Sequence, residues 1–240
     1  DLHKDCGKVQ DPYSFRCMPQ VHGAARRLLN NCVPVLETEM NSATDNPLVF
    51  TKGKRGEILS GGNFHGEFVA MIMDTACIAL SELANISDLR IQKLINPSIS
   101  GLPAFLTKDP GLNSGMMIVQ VASASLVSEN KVLSHPASVD SIPTSADKED
   151  HVSMGVTAAR KARQILDNLR HVLAMELLSA SQGIELLRPL SSSKPLEAVM
   201  REIRAVVPPI GEDRVFHHDI LAIDGLLRAR KILGAIGPLE

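Results

Sequence analysis

Apolar residues recur at helical spacing along most of the chain, and the breaks in that rhythm mark its elements. Two long apolar segments, residues 116–132 and 152–180, flank a stretch that turns small and polar, ENKVLSHPASVDSIPTSADKEDHVSMG at 129–155. On the second segment Val152, Ala159, Ile165, Leu169, Val172, Leu173 and Leu177 form a broad stripe. Gly183 is expected to end it near Gln182. A polar connection of this length between core helices is uncommon, and is usually either functional or disordered. Pro136, Val139, Ile142 and Pro143 give this one stiffness and apolar anchors. The stretch therefore reads as an ordered loop lining a site, with Glu149 and His151 at the mouth of the following helix.

The same patterning applies elsewhere. A helix beginning near Pro19 directs Val21, Ala24, Leu28, Cys32 and Val35 to the core, and Pro34 is expected to bend or break it. After a turn at Asn46-Pro47, Leu48-Val49-Phe50 and Glu57-Ile58-Leu59 fit a small hairpin. Gly61-Gly62 is expected to adopt backbone conformations closed to other residues. Residues 64–84 read as a helix with Phe68, Ile72, Ala76, Ala79 and Leu83 on one face. Ser87 then caps a separate short helix over 88–95. Residues 96–113 are irregular, a smaller amphipathic helix covers 196–207 before Pro208-Pro209, and a last helix covers 219–233. The fold class is mainly α, a bundle of long helices with one small β-hairpin.

Composition narrows this further. At 240 residues the chain buries a real core, as one large domain or two modest ones. A formal charge of −2 gives no global electrostatic reason to expect nucleic acid or an anionic membrane as partner. With no Trp and one Tyr, aliphatic side chains must fill the core, which suits close-packed helices. Cys6, Cys17, Cys32 and Cys77 show no CxxC spacing and read as free buried thiols of a reducing compartment. No run is expected to reach the length of a membrane span, and the sequon Asn85-Ile-Ser87 lies in a helical pattern. The opening DLHKDCGKVQ has neither an initiator Met nor a signal-peptide core, as if the chain began inside a longer one.

Several motifs invite chemistry and fail on spacing. His65-Gly66-Glu67 imitates the HxE of zinc deaminases, but the PCxxC pair that completes that metal site is missing, so no metal is expected. His217-His218-Asp219 reads as a solvated helix start. There is no Gly-x-Ser-x-Gly elbow and no glycine-rich phosphate loop. Three clusters remain. Gln10-Asp11-Pro12-Tyr13-Ser14-Phe15-Arg16 places an amide, a phenol and a guanidinium within two turns of chain, and the guanidinium fork suits a carboxylate. Ser60-Gly61-Gly62-Asn63-Phe64-His65 sets an aromatic ring beside an open backbone. Glu149-Asp150-His151 brings carboxylates to a helix entrance. Taken singly, each also reads as a capped helix start, a hairpin exit or a helix N-terminus.

Taken together, VQDPYSFRC, ETEMNSATDNPLVF, SGGNFHGE, LNSGMMI, SENKVLSHPASVDSIPTSADKEDHVSMG and SQGIELLRPL resemble, in this order, the C-terminal half of the histidine ammonia-lyases of the aromatic amino acid lyase family. The resemblance covers nearly the whole chain and weakens after about Leu190. It implies long, near-parallel helices, with residues 1–190 in the C-terminal part of a central bundle and 191–240 a helical extension of the same domain. It further implies a cytoplasmic homotetramer whose active sites combine several subunits. The implied reaction is non-oxidative loss of ammonia from L-histidine to give trans-urocanate. Its electrophile is a methylidene-imidazolone group (MIO) formed from an internal Ala-Ser-Gly.

By that resemblance Tyr13 and Glu149 are catalytic, while Gln10, Arg16, Phe64 and Met117 bind substrate. Arg16 would hold the carboxylate, Tyr13 and Gln10 line the site near the electrophile, Phe64 lies beside it, and Met117 lines the pocket. A carboxylate at 149 orients an imidazole N–H, which argues for histidine over phenylalanine or tyrosine. Ala-Ser-Gly does not occur in these 240 residues. The missing N-terminal half is therefore an expected partner, and the chain alone is expected to be inactive. A phenylalanine or tyrosine lyase or aminomutase portion, and a non-catalytic helical assembly module, are the alternatives.

Overall fold

The computed structural model describes residue 7 and residues 9–237; Cys6 lies outside them. The described residues form α1 (Tyr13–Arg16), α2 (Met18–Met40), β1 (Leu48–Lys52), β2 (Arg55–Leu59), α3 (Glu67–Leu94) and α4 (Pro97–Ser100). A 3-10 turn at Ala104–Leu106 leads to α5 (Met117–Leu133), α6 (Gly155–Leu186), α7 (Lys194–Arg204), α8 (Phe216–Arg228) and α9 (Lys231–Ile236). The expected mainly α chain with one antiparallel hairpin is what these residues form, and Leu48 pairs with Leu59 as the hairpin closes.

Five expectations need correction. Pro34 does not break α2, which runs on to Met40; Thr38 Oγ1 donates to the Pro34 carbonyl at 2.8 Å and stays within the helix. Ser87 caps nothing, because α3 is one continuous helix through it, and its hydroxyl donates to Glu176 Oε2 at 2.5 Å. Gly183 does not end α6. A Cβ there would meet Leu102 Cδ1 at 3.3 Å and Leu94 Cδ1 at 3.4 Å, so the glycine serves close packing. The last helix is two, because Arg230 takes a φ of 55° between α8 and α9. The expectation that no run is long and apolar enough to cross a membrane also fails for α3, by length and composition alone. It carries six charged side chains, of which Glu82 is exposed, and the three buried ones, Asp74, Asp88 and Arg90, each find a polar partner.

The chain divides into two compact units. One holds the chain up to His22, Leu83–Glu129 and everything from Asp167 onward. Its core gathers Ile91, Val119, Leu178, Ile203 and Ile223 from α3, α5, α6, α7 and α8, with Met116 just ahead of α5. Several polar side chains inside it are paired, though the Ser123 and Ser179 hydroxyls are not. Arg90 Nη2 donates to Glu176 Oε2 at 2.8 Å. The buried Gln182 amide serves the Leu106 and Ile210 carbonyls and accepts from Ile210 N–H. Such pairing offsets the cost of burying polar atoms. Asp213 accepts from the Ser114 and Gly115 amides at 2.7 and 2.8 Å, satisfying donors just ahead of α5 and fixing where Met117 begins.

The second unit comprises Gly23–Glu82 and Asn130–Leu166. Cys77, Ala162 and Ile165 pack there with Met73, Leu80 and Leu133. Burial pushes the Cys77 thiol up to about 11, and pushes that of Cys32 up as well, so both behave as inert apolar groups. Cys17 is free and half-buried.

Candidate active site

In the first unit Pro12 precedes the single turn α1, and its carbonyl accepts from the Phe15 and Arg16 amides. Residues three apart share a helix face. The Arg16 guanidinium accordingly lies 4.9 Å from the centroid of the Tyr13 ring. Both side chains face solvent, Tyr13 at 70% exposure, while Ser14 between them is buried. Gln10 stands exposed just before this turn, and Met117 is half-buried as the first residue of α5. The cation over the ring holds the guanidinium in place without using its N–H fork.

Phe64 and Glu149 belong to the second unit. Phe64 is 53% exposed in the turn between β2 and α3. The expected unusual backbone is not at Gly61-Gly62, whose φ angles are ordinary and where a Cβ would meet nothing. It is at Gly66, with a φ of 77°, where the chain enters α3 beside Ser153. Asn46 Oδ1 steadies the same turn by accepting from Gly61 N–H and Ser60 Oγ.

The loop between α5 and α6 is ordered by identifiable bonds. Asp74 Oδ2 on α3 accepts from the Ala137 and Ser138 amides at 2.8 Å each. Lys161 Nζ on α6 lies 3.2 Å from Asp74 Oδ1 and also donates to the His135 carbonyl. Ser141 Oγ accepts from Val152 N–H. At the tip Thr144 and Glu149 pair as a short antiparallel bridge, closed by Ser145, Ala146 and Asp147 at φ values of 52°, 53° and 63°. Left-handed backbone at three successive residues with side chains is costly, and such strain concentrates at functional sites. Thr144 Oγ1 donates to Glu149 Oε2 at 2.6 Å. Hydrogen bonds from Thr144 and Ser145 hold the Glu149 carboxyl below its ordinary value, so it stands in solvent as a carboxylate.

The structure thus brings Tyr13 and Arg16 together in one unit and places Glu149 on a braced loop in the other. Sequence reasoning missed the brace: Asp74 and Lys161 are 87 positions apart, and nothing in the local pattern of either points to the other. It also missed the contact of His65 with His151, whose rings stack at 5.2 Å. The expected start of α6 at Val152 falls three residues early, since Met154 at a φ of 57° delays it to Gly155.

The chain that carries this Arg–Tyr pair and this braced carboxylate matches one family over most of its length. The family model of the aromatic amino acid lyases covers residues 2–205, and the chain belongs to that family. Among its relatives, the histidine ammonia-lyase of Stigmatella aurantiaca is 54% identical over 236 residues, which is 98% of this chain and 46% of that protein. The crystal structure of histidine ammonia-lyase from Trypanosoma cruzi superposes with a TM-score of 0.91 at 52% identity, covering 95% of this chain and 45% of that one. Tyrosine aminomutase from Streptomyces globisporus gives 0.89 at 40% identity, covering 95% and 43%. The chain spans about half the length of the curated relatives it matches.

Proposed function

We propose that this chain is the C-terminal portion of a histidine ammonia-lyase, which eliminates ammonia from L-histidine to give trans-urocanate. The observation that carries the reading is the exposed Arg16 guanidinium held over Tyr13, in a chain 54% identical to a histidine ammonia-lyase along 98% of its length. Histidine is favoured by the ionised Glu149 and by the lower identity, 40%, to the tyrosine aminomutase.

In the reaction a β-hydrogen and the α-amino group leave, and the C–H electron pair becomes the new double bond. Arg16 receives the substrate carboxylate through its two-pronged N–H fork. Glu149 accepts the imidazole N–H and fixes the ring's orientation. In an active site to which several subunits contribute, Tyr13 and Gln10 border the reacting carbons, with Phe64 and Met117 supplying apolar walls. The family's methylidene-imidazolone supplies an electrophile that makes the amine a better leaving group. These residues contain no Ala-Ser-Gly from which to form it, and no step above runs through it.

The reading extends to a cytoplasmic homotetramer completed by an N-terminal half. Exposed apolar side chains support association: Phe68 and Met71 on α3, and Ile118 and Val121 on α5. Urocanate absorbance provides the test. The chain alone is expected to release none from histidine, and the chain mixed with the N-terminal half of a relative is expected to form it. Turnover by the 240 residues alone, or phenylalanine preferred over histidine in the complemented enzyme, would overturn the proposal.

A further inference from the structure

His65, Glu67 and His151 converge although His151 lies 86 positions from His65. One donor atom from each falls within 4.8 Å of the other two. His65 Nε2 lies 3.0 Å from the His151 carbonyl oxygen and 3.1 Å from His151 Nδ1. A carbonyl only accepts, so Nε2 carries the proton of the neutral His65 ring and Nδ1 presents a lone pair. That lone pair faces Glu67 Oε2 across 3.9 Å. Oε2 is buried and has no hydrogen-bond donor. Two electron-pair donors thus face each other with nothing between them, beside a third on His151. Buried oxygens are ordinarily satisfied, and a cation held between these atoms would satisfy Oε2 and both ring nitrogens at once.

We propose that these three side chains bind one divalent cation of the zinc class. Donors about 2.0–2.2 Å from a tetrahedral zinc stand roughly 3.3–3.6 Å apart, so the three donors here, within 4.8 Å of one another, draw in slightly around the ion. Two imidazoles with one carboxylate select zinc over magnesium or calcium, which take oxygen ligands. Three protein ligands leave a position for water. A cleft of about 440 Å³ lined by Thr38, Glu39, Asn63, His65, Glu67 and Phe68 gives the ion and its water a way in.

The cation ties the loop to the start of α3. His151 follows Glu149 by two residues, so the ion limits how far that carboxylate moves. This consequence rests on the role proposed for Glu149, whereas the binding site does not.

The full-length protein carrying this chain, stripped with a chelator, is titrated with ZnCl2 by calorimetry and with CoCl2 by visible absorption. One equivalent per chain is expected, with cobalt showing the ligand-field bands of a low-coordinate nitrogen and oxygen site. His151→Ala and Glu67→Gln should each weaken zinc by at least the roughly 10- to 100-fold that losing an outer-shell partner costs, and should abolish the cobalt bands. Circular dichroism identifies a variant that fails to fold, and the other then decides. No zinc uptake by the wild-type protein overturns the site. Undiminished uptake in a folded variant overturns it equally.

Discussion

Asp74→Ala is expected to cost about 3–5 kcal/mol, the scale on which breaking a buried ion pair destabilises a protein. The carboxylate is 4% exposed and serves three donors: the Ala137 and Ser138 amides at 2.8 Å and the Lys161 ammonium at 3.2 Å. Hydrogen bonds to a charged group contribute about 1.5–3 kcal/mol each. One carboxylate makes all of them, so the contributions overlap, and the pair figure is the appropriate total. Alanine leaves two amides without an acceptor and an ammonium without its counter-charge. Adding Lys161→Met removes the stranded charge and should recover part of the loss. Burial pushes the Asp74 carboxyl up, but the bonds from Ser138 and the charge of Lys161 outweigh it and bring it below its ordinary 3.8. A depressed value means that the contribution is full above about 3.8 and fades as pH falls through the lower folded value. The gap between wild type and D74A should therefore narrow only below that pH. Urea unfolding followed by circular dichroism measures both effects. A loss under about 0.5 kcal/mol, the scale of an ordinary surface substitution, would refute the argument.

In the assembled enzyme Arg16→Lys should lower kcat/KM for histidine by about 10- to 100-fold, since an ammonium cannot reproduce the fork; steady-state kinetics on a folded variant check this. Glu149→Gln keeps an acceptor for Thr144 and should leave the melting temperature nearly unchanged while reducing turnover of histidine more than that of phenylalanine. Equal losses on the two substrates would remove Glu149 as a reader of the imidazole. Gly115→Ala should destabilise by about 1–2 kcal/mol from its φ of 52° alone, and by more from a Cβ 2.5 Å from the Phe105 carbonyl oxygen; denaturant titration gives the number.

Helix identity was legible in the sequence wherever one face is apolar over several turns. Residues 116–132 and 152–180 anticipate α5 and most of α6, and the two short β-branched and aromatic runs anticipate the hairpin. Family motifs carried the candidate site further, because QDPYSFR places Tyr13 and Arg16 three apart, and helical geometry alone puts those on one face. Local signals failed where a residue answers to a distant partner. Ser87 looks like a cap from its neighbours, but Glu176 takes its hydroxyl. Gly183 looks like a stop signal, but Leu94 and Leu102 need the space its missing Cβ leaves. Phe68, placed by periodicity on one face with Ala76 and Ala79, is 73% exposed while those two are buried, and Asp219, read as solvated, is buried against Arg214. The loop's order follows the same rule. Its prolines show that it is stiff, but its position comes from Asp74 and Lys161 on separate helices, and the His65–Glu67–His151 cluster exists only once residues 86 positions apart are folded together. Backbone propensity and hydrophobic period act over a few residues and are written in order along the chain. Ion pairs and close packing act between any residues that folding makes neighbours, so only the tertiary structure decides them.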